Sequence, residues 1–253
     1  MTIAICTIIF IIGTIFGSFY NVVGYRLPKG QSIIYPASHC PNCNHKLTFI
    51  ELIPIISYII QHGKCRNCKQ KISPFYPIFE ALTGILFVMA YLSFGFTFKL
   101  IIALTFISMM IIITVSDYNY LIISDEVLIV FGLILLVEII CINGLTAGIN
   151  SLINGSLAFI TMFLLKKFGD FIFKKESMGG GDIKLMFIFG MVLTYPIAVL
   201  SIFMGSLIGL PIALIIMHKK SDHIIPFGPF LAAGATLLLL MQVNVSTIIN
   251  LYK

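Results

Sequence analysis

Two aspartates and four cysteines carry the chemistry that this chain can offer. Asp117 stands in "TVSDYNYLIISDEV", and Asp182 follows three glycines in "GGGDIKL"; each borders a long apolar run. Ionisable side chains in or beside membrane-spanning segments are costly to keep there and are functional candidates by default. Two carboxyl groups about 3 Å apart do not both ionise easily and share a proton. One then acts as base toward a water while the other donates to a substrate carbonyl, and an amide is hydrolysed without metal or covalent intermediate. A lone aspartate beginning a helix is commonly a cap or first-turn residue, and Asp125, followed by Glu126, has that character.

The glycines before Asp182 suit such a site. Gly179, Gly180 and Gly181 have no side chains, so a substrate strand can approach the backbone, and they permit dihedrals closed to other residues. Asp182 is expected in the first turn of its helix, where the macrodipole favours an anion.

The second constellation is "CPNC" (Cys40, Cys43) and "CRNC" (Cys65, Cys68), separated by 21 residues. Two C-x₂-C turns at this distance match a four-thiolate tetrahedral zinc site, closed to further ligands and therefore structural. The competing reading is disulfides or redox pairs, but the topology set by the basic residues puts the loop in a reducing compartment, where disulfides rarely persist. His39, His45 and His62 flank the cysteines and could replace one ligand, but four sulfurs already complete the shell. Cys6 and Cys141 lie alone in apolar runs and read as core residues.

The elements that must position these groups are membrane helices. The chain has 253 residues, 59% hydrophobic and only 10% charged, with mean hydropathy +1.06, more apolar surface than one soluble core could hide. Stretches near the 20 residues needed to cross a bilayer occur around 3–23, 76–95, 99–116, 126–143, 146–165, 182–197, 198–217 and 230–250. The expectation is an all-α polytopic membrane protein of about eight transmembrane helices with a small zinc-binding loop domain. Residues 1–23 form the first helix, 24–75 the tetracysteine domain, and 76–253 the membrane core. The apolar segment 49–60 contains Glu51 and Pro54, is too short to span, and reads as a packed or interfacial piece.

No basic residue precedes Arg26, which favours a retained first helix over a cleaved signal peptide. With an extracytoplasmic N-terminus and eight crossings, fourteen of the sixteen Lys and Arg residues fall on one side, leaving Lys99 and Lys253 on the other. The positive-inside rule makes that side the cytoplasm. The tetracysteine loop and the helix ends bearing Asp117 and Asp182 share it, so the carboxylates can meet across 65 positions. The net charge of +6 reports topology, and no nucleic-acid-reading motif is present. Glu80 and Glu138 also fall within apolar segments, Glu80 near the cytoplasmic end of the second span.

Several segments together resemble the type IV prepilin peptidases, membrane aspartyl proteases of the GxGD class. "FGSFYNVVGYRLP" (16–28) is similar to the family signature ending the first helix, and "HCPNCNHKL" with "GKCRNCKQKISPFYPIFEALTG" to its tetracysteine domain. "GGGDIKL" resembles the catalytic motif, and "PFGPFLAAGA" (226–235) the block before the last helix. The resemblance implies that Asp117 and Asp182 are the catalytic pair. Where the family has Leu-Pro-Asp or Ile-Pro-Asp, this chain has Ile123-Ser124-Asp125, a change affecting local rigidity. Asp125 is kept as a supporting residue, together with Lys184.

The implied activity is removal of a basic leader from type IV prepilin or pseudopilin precursors at the cytoplasmic face of the plasma membrane. N-methylation of the new N-terminus by S-adenosylmethionine is implied as a second activity, although no glycine-rich nucleotide fingerprint is present. Its site is expected in the cytoplasmic domain, near Glu80. The partners are then the precursors and membrane lipids, with no nucleic acid. The residues alone also admit a proton- or cation-coupled transporter using the acidic pair. Against that stand the absence of an internal repeat and the position of both aspartates at one membrane edge.

Overall fold

Local apolar character and bilayer length dictate nearly every element. The computed structural model describes residues 2–219 and 225–243. It is all-helical among the described residues, apart from isolated antiparallel bridges at His39–Lys46 and Lys64–Lys71. The chain divides into two compact units, residues 1–92 and 93–253.

In the N-terminal unit, α1 (Thr2–Arg26) and α3 (Phe75–Phe94) are the long apolar helices, with the short α2 (Ile56–Ile60) in the segment joining them. α1 and α3 approach backbone to backbone. A Cβ on Gly13 would lie 2.7 Å from the Gly84 Cα, and one on Gly17 2.9 Å from the Glu80 Cα. Small residues four apart let helices pack this closely without a hydrophobic driving force, which lipid does not supply.

The second unit comprises α4 (Phe98–Tyr120), α5 (Asp125–Asn143), α6 (Leu145–Phe173), α7 (Gly180–Leu193), α8 (Tyr195–Lys219) and α9 (Gly228–Leu240). α4 is its core, packed against α5 and α9: Phe106, Ile107, Met109 and Ile112 are buried on it, as are Leu185, Met186 and Phe189 on α7. The Phe106 and Phe189 rings lie 5.8 Å apart. Single residues with positive φ, Gly144 (+89°) and Thr194 (+73°), turn α5 into α6 and α7 into α8.

Among the described residues, five helices are long and apolar enough to cross a membrane, α1, α3, α4, α6 and α8, where about eight were expected. The difference has a length basis. α7 and α9 have 14 and 13 residues, about 20 Å at 1.5 Å per residue against roughly 30 Å of hydrocarbon. α5 has 19 residues but carries Asp125, Glu126 and Glu138. Beyond residue 243 the last expected span, 230–250, lies outside the described residues, as do Lys220 and Lys253 from the charge count. Neither isolated cysteine is a core residue: Cys6 is half-buried and Cys141 exposed, as apolar side chains on a lipid-facing surface can be.

Candidate active site and metal centre

Three segments of the second unit bring the aspartates together. Asp117 lies in the last turn of α4, which ends at Leu121 in the left-handed conformation (φ 57°) with its N–H on the Asp117 carbonyl, 2.9 Å away. The Ser116 hydroxyl bonds the Ile122 carbonyl and folds the following loop back. Asp182 is the third residue of α7, in its first turn, where helix N–H groups favour a carboxylate. Both side chains are buried, at 7% and 8% exposure, and Ile123 lies against both Gly181, the neighbour of Asp182, and Gly228, whose N–H reaches Asp117.

A third contributor, Gly228, was not singled out in the sequence. Its backbone N–H donates to Asp117 Oδ2 at 3.1 Å. It is the first residue of α9, with Pro beside it, so Asp117 terminates one helix and accepts from the start of another. A Cβ at position 228 would stand 2.6 Å from Oδ2. The signal was present in "PFGPF", where prolines on both sides of a glycine mark a constrained helix entry.

Ile123 wedges these segments together: a Cβ on Gly181 would lie 2.8 Å from the Ile123 Cβ, and one on Gly228 3.4 Å from its Cδ1. The expected dihedral role of Gly179, Gly180 and Gly181 is not used. None has a positive φ, and Gly179 is extended (φ −66°, ψ 144°) as the N-cap of α7. The requirement is space, tight at Gly181 and open at Gly180, where an added Cβ would meet nothing within 4 Å.

Asp125 and Lys184, 59 positions apart, form a two-oxygen ion pair with Nζ at 2.7 and 2.8 Å from the carboxylate. Both are half-exposed. From this pair an apolar groove of about 700 Å³ runs between α5, α6 and α7, past Leu128, Gly132, Phe159 and Ile188. Glu138, which also falls within an apolar segment, accepts from the Thr105 hydroxyl at 2.8 Å.

The cysteines of the N-terminal unit form one cluster, with all four Sγ atoms within 4.8 Å of one another. Cys40 and Cys68 Sγ lie 3.8 Å apart, and Cys43 and Cys65 Sγ 3.9 Å. Disulfide sulfurs would be about 2.0 Å apart; a tetrahedral Zn–S bond of about 2.3 Å spaces sulfurs by about 3.8 Å. The residues therefore fit a thiolate-bound metal such as zinc. Two knuckles of one design build it. Cys40 N–H donates to the His45 carbonyl at 2.9 Å and Cys65 N–H to that of Gln70 at 2.8 Å. Each then turns through a left-handed residue, Asn44 or Lys69.

The knuckles also brace each other. Asn42 Nδ2 donates to Cys68 Sγ at 3.6 Å, and Asn67 Nδ2 to Cys43 Sγ at 3.7 Å. The Gln70 backbone N–H leads the contacts that hold the Cys68 thiol down at about 6, which favours the ligating thiolate. Asn42 and Asn67 went unremarked in the sequence, where the asparagine shared by both C-x-N-C turns was the available signal. His45 lies outside the cluster, its Nε2 3.2 Å from Glu51 Oε2.

Known families cover most of the chain. "Bacterial Peptidase A24 N-terminal domain" matches residues 11–94, and "Type IV leader peptidase family" residues 104–214. A protein of Bacillus subtilis named prepilin leader peptidase/N-methyltransferase is 36% identical over 91% of this chain and 92% of its own. The chain belongs to the type IV leader peptidase family. Proteins of the same name from Pseudomonas aeruginosa and Neisseria gonorrhoeae are each 29% identical, over 93% and 95% of this chain and 89% and 92% of theirs. No solved structure matches. Within the family match at 104–214 lie both aspartates, the three glycines, Asp125 and Lys184; all four cysteines lie within the match at 11–94.

Proposed function

We propose that this protein is a membrane-embedded aspartic endopeptidase that removes the leader from type IV prepilin-like or pseudopilin precursors, with Asp117 and Asp182 as its catalytic pair. The reading is supported by two buried carboxyls, at the end of α4 and the start of α7, on segments that Ile123 and Gly228 hold together, in a family of leader peptidases. One carboxyl takes a proton from water as its oxygen attacks the scissile carbonyl carbon, while the other donates to the carbonyl oxygen. The resulting diol collapses, the C–N bond breaks, and the nitrogen leaves protonated. The Gly228 N–H orients Asp117. Gly180, with open space beside it, offers a backbone edge to an unwound substrate segment. The groove leading from Asp125 and Lys184 supports lateral entry of the precursor's apolar helix.

The same reading divides the chain into a first helix (1–23), a tetracysteine domain (24–75) and a membrane peptidase core (76–253). Zinc at Cys40, Cys43, Cys65 and Cys68 would fix the loop domain's fold. The lysine distribution supports a plasma-membrane orientation with the N-terminus outside and both site and tetracysteine loop cytoplasmic. The partners would be the precursors and surrounding lipids, with no nucleic acid.

N-methylation of the new N-terminus belongs to this proposal through the names of the relatives. S-adenosylmethionine would supply the methyl group. Glu80, the residue proposed for its site, has Oε2 committed to the Ile55 N–H at 2.7 Å and is also reached by the Ser18 hydroxyl. This is a poor fit to a nucleoside-binding carboxylate.

The test is cleavage of a precursor with a basic leader ahead of an apolar helix, by membranes containing wild type, Asp117→Asn or Asp182→Asn. Only the wild type should shorten it, and the mass of the product's N-terminus reports methylation. Wild-type cleavage by Asp182→Asn would remove the dyad and the peptidase reading with it.

A further inference from the structure

The segment joining α1 to α3 contains a turn that a water-exposed loop would not keep. Ile55 has φ 62° and ψ −53°, a region that β-branched residues enter only under constraint. It is the centre of a γ-turn, with Ile56 N–H on the Pro54 carbonyl at 2.5 Å. The constraint comes from α3: Ile55 N–H donates to Glu80 Oε2 at 2.7 Å.

That bond fixes the depth of the turn. α3 has 20 residues, about 30 Å at 1.5 Å each, which is roughly the hydrocarbon thickness with no length to spare. Glu80 is five residues beyond its first residue, so its Cα lies roughly 7 Å inside the start of the span, and the carboxylate, leaning back toward that start, holds the turn within the first turns of the helix. Irregular backbone at that depth must have its polar groups satisfied by protein; the γ-turn and Glu80 do this for Ile55 and Ile56.

The side chains around the turn agree. Phe49, Ile50, Leu52, Ile56, Ile59 and Ile60 are all exposed, from 44% to 84%. Six large apolar side chains exposed within twelve residues are a density of the kind that marks an interaction surface. Basic residues flank the segment, Lys46 on one side and Lys64 and Arg66 on the other, all exposed. An apolar face bordered by lysine and arginine suits the boundary between acyl chains and anionic headgroups.

We propose that residues 49–60 are a re-entrant hairpin inserted in the lipid interface, held at its depth by Glu80, so that the tetracysteine module is moored to the bilayer between its two flanking helices. The Glu80 carboxylate is then a positioning group for this hairpin.

The chain contains no tryptophan, so one substitution supplies a unique fluorescent reporter. The full-length protein would be reconstituted into phosphatidylcholine–phosphatidylglycerol vesicles with and without brominated acyl chains. The Ile59→Trp variant should emit to the blue of a water-exposed indole and lose more than half its emission to the brominated lipid. Arg66→Trp, at the exposed tip of the second knuckle, should lose little. Glu80→Ala in the Ile59→Trp background should weaken quenching, and Glu80→Gln, which retains an acceptor, should restore it. Water-like, unquenched emission from Ile59→Trp would overturn the proposal. So would blue-shifted emission that ignores brominated lipid and grows with protein-to-lipid ratio, since a second copy would then cover the patch.

Discussion

Gly228→Ala tests whether the helix contact at Asp117 matters to catalysis. The added methyl carbon would lie 2.6 Å from Asp117 Oδ2, whereas ordinary van der Waals contact begins at 3.4 Å, so the carboxyl must withdraw by about 0.8 Å or α9 must move. Either movement stretches the 3.1 Å bond from the Gly228 N–H. Loss of a buried hydrogen bond to such a group costs about 1–3 kcal/mol, and a misplacement near 1 Å at the chemistry can cost roughly 100-fold in rate. The expected result is kcat lower by about 100-fold, KM little changed, and stability lower by about 1–3 kcal/mol. The assay is steady-state cleavage of a membrane-embedded precursor beside a thermal unfolding scan. Gly13→Ala in the N-terminal unit is the control, with its Cβ 2.7 Å from Gly84 Cα; it should lower stability without lowering kcat comparably. Wild-type kcat for Gly228→Ala would refute the view that α9 sets the position of Asp117.

Replacing Asn42 and Asn67 by Ala removes the donors to Cys68 and Cys43, and each loss should weaken zinc retention by about 10–100-fold; competition with a chromogenic chelator measures it, and unchanged retention would reduce the asparagines to loop residues. Ser124 has φ −69° at the N-cap of α5 and a buried hydroxyl with no hydrogen-bond partner among the described residues, so Ser124→Pro should raise stability by about 0.4–1 kcal/mol with cleavage retained, read as a higher Tm; a lower Tm would show that the loop needs the freedom serine allows.

Much of this site was legible one residue at a time. Charge in an apolar chain is conspicuous because lipid makes it costly, so Asp117, Asp182, Asp125, Lys184, Glu80 and Glu138 could all be noticed. The cysteine quartet was legible because short-range spacing presents two sulfurs to one ion. Less legible were groups that act through backbone atoms or through space left empty. Gly228 contributes an N–H and an absence of side chain, and Gly181 a gap filled by Ile123. Neither property leaves a periodic trace. The span count exceeded that of the described residues because hydropathy locates apolar segments but not helix length, and α7 and α9 fold as helices of only 14 and 13 residues. Thr194 divides α7 from α8 at positive φ (73°), where a β-branched residue gives no warning.

The sequence alone determined that this is a helical membrane protein with a four-thiolate module and two aspartates at helix ends, because transfer energies and ligand spacing are local properties. Tertiary structure alone decided that Asp117 meets α9, that Lys184 pairs with Asp125, and that Glu80 binds a strained turn at Ile55 instead of standing free. Those partners lie 111, 59 and 25 positions apart. Which buried donor finds which acceptor depends on how the helices pack, and packing is a property of the whole chain.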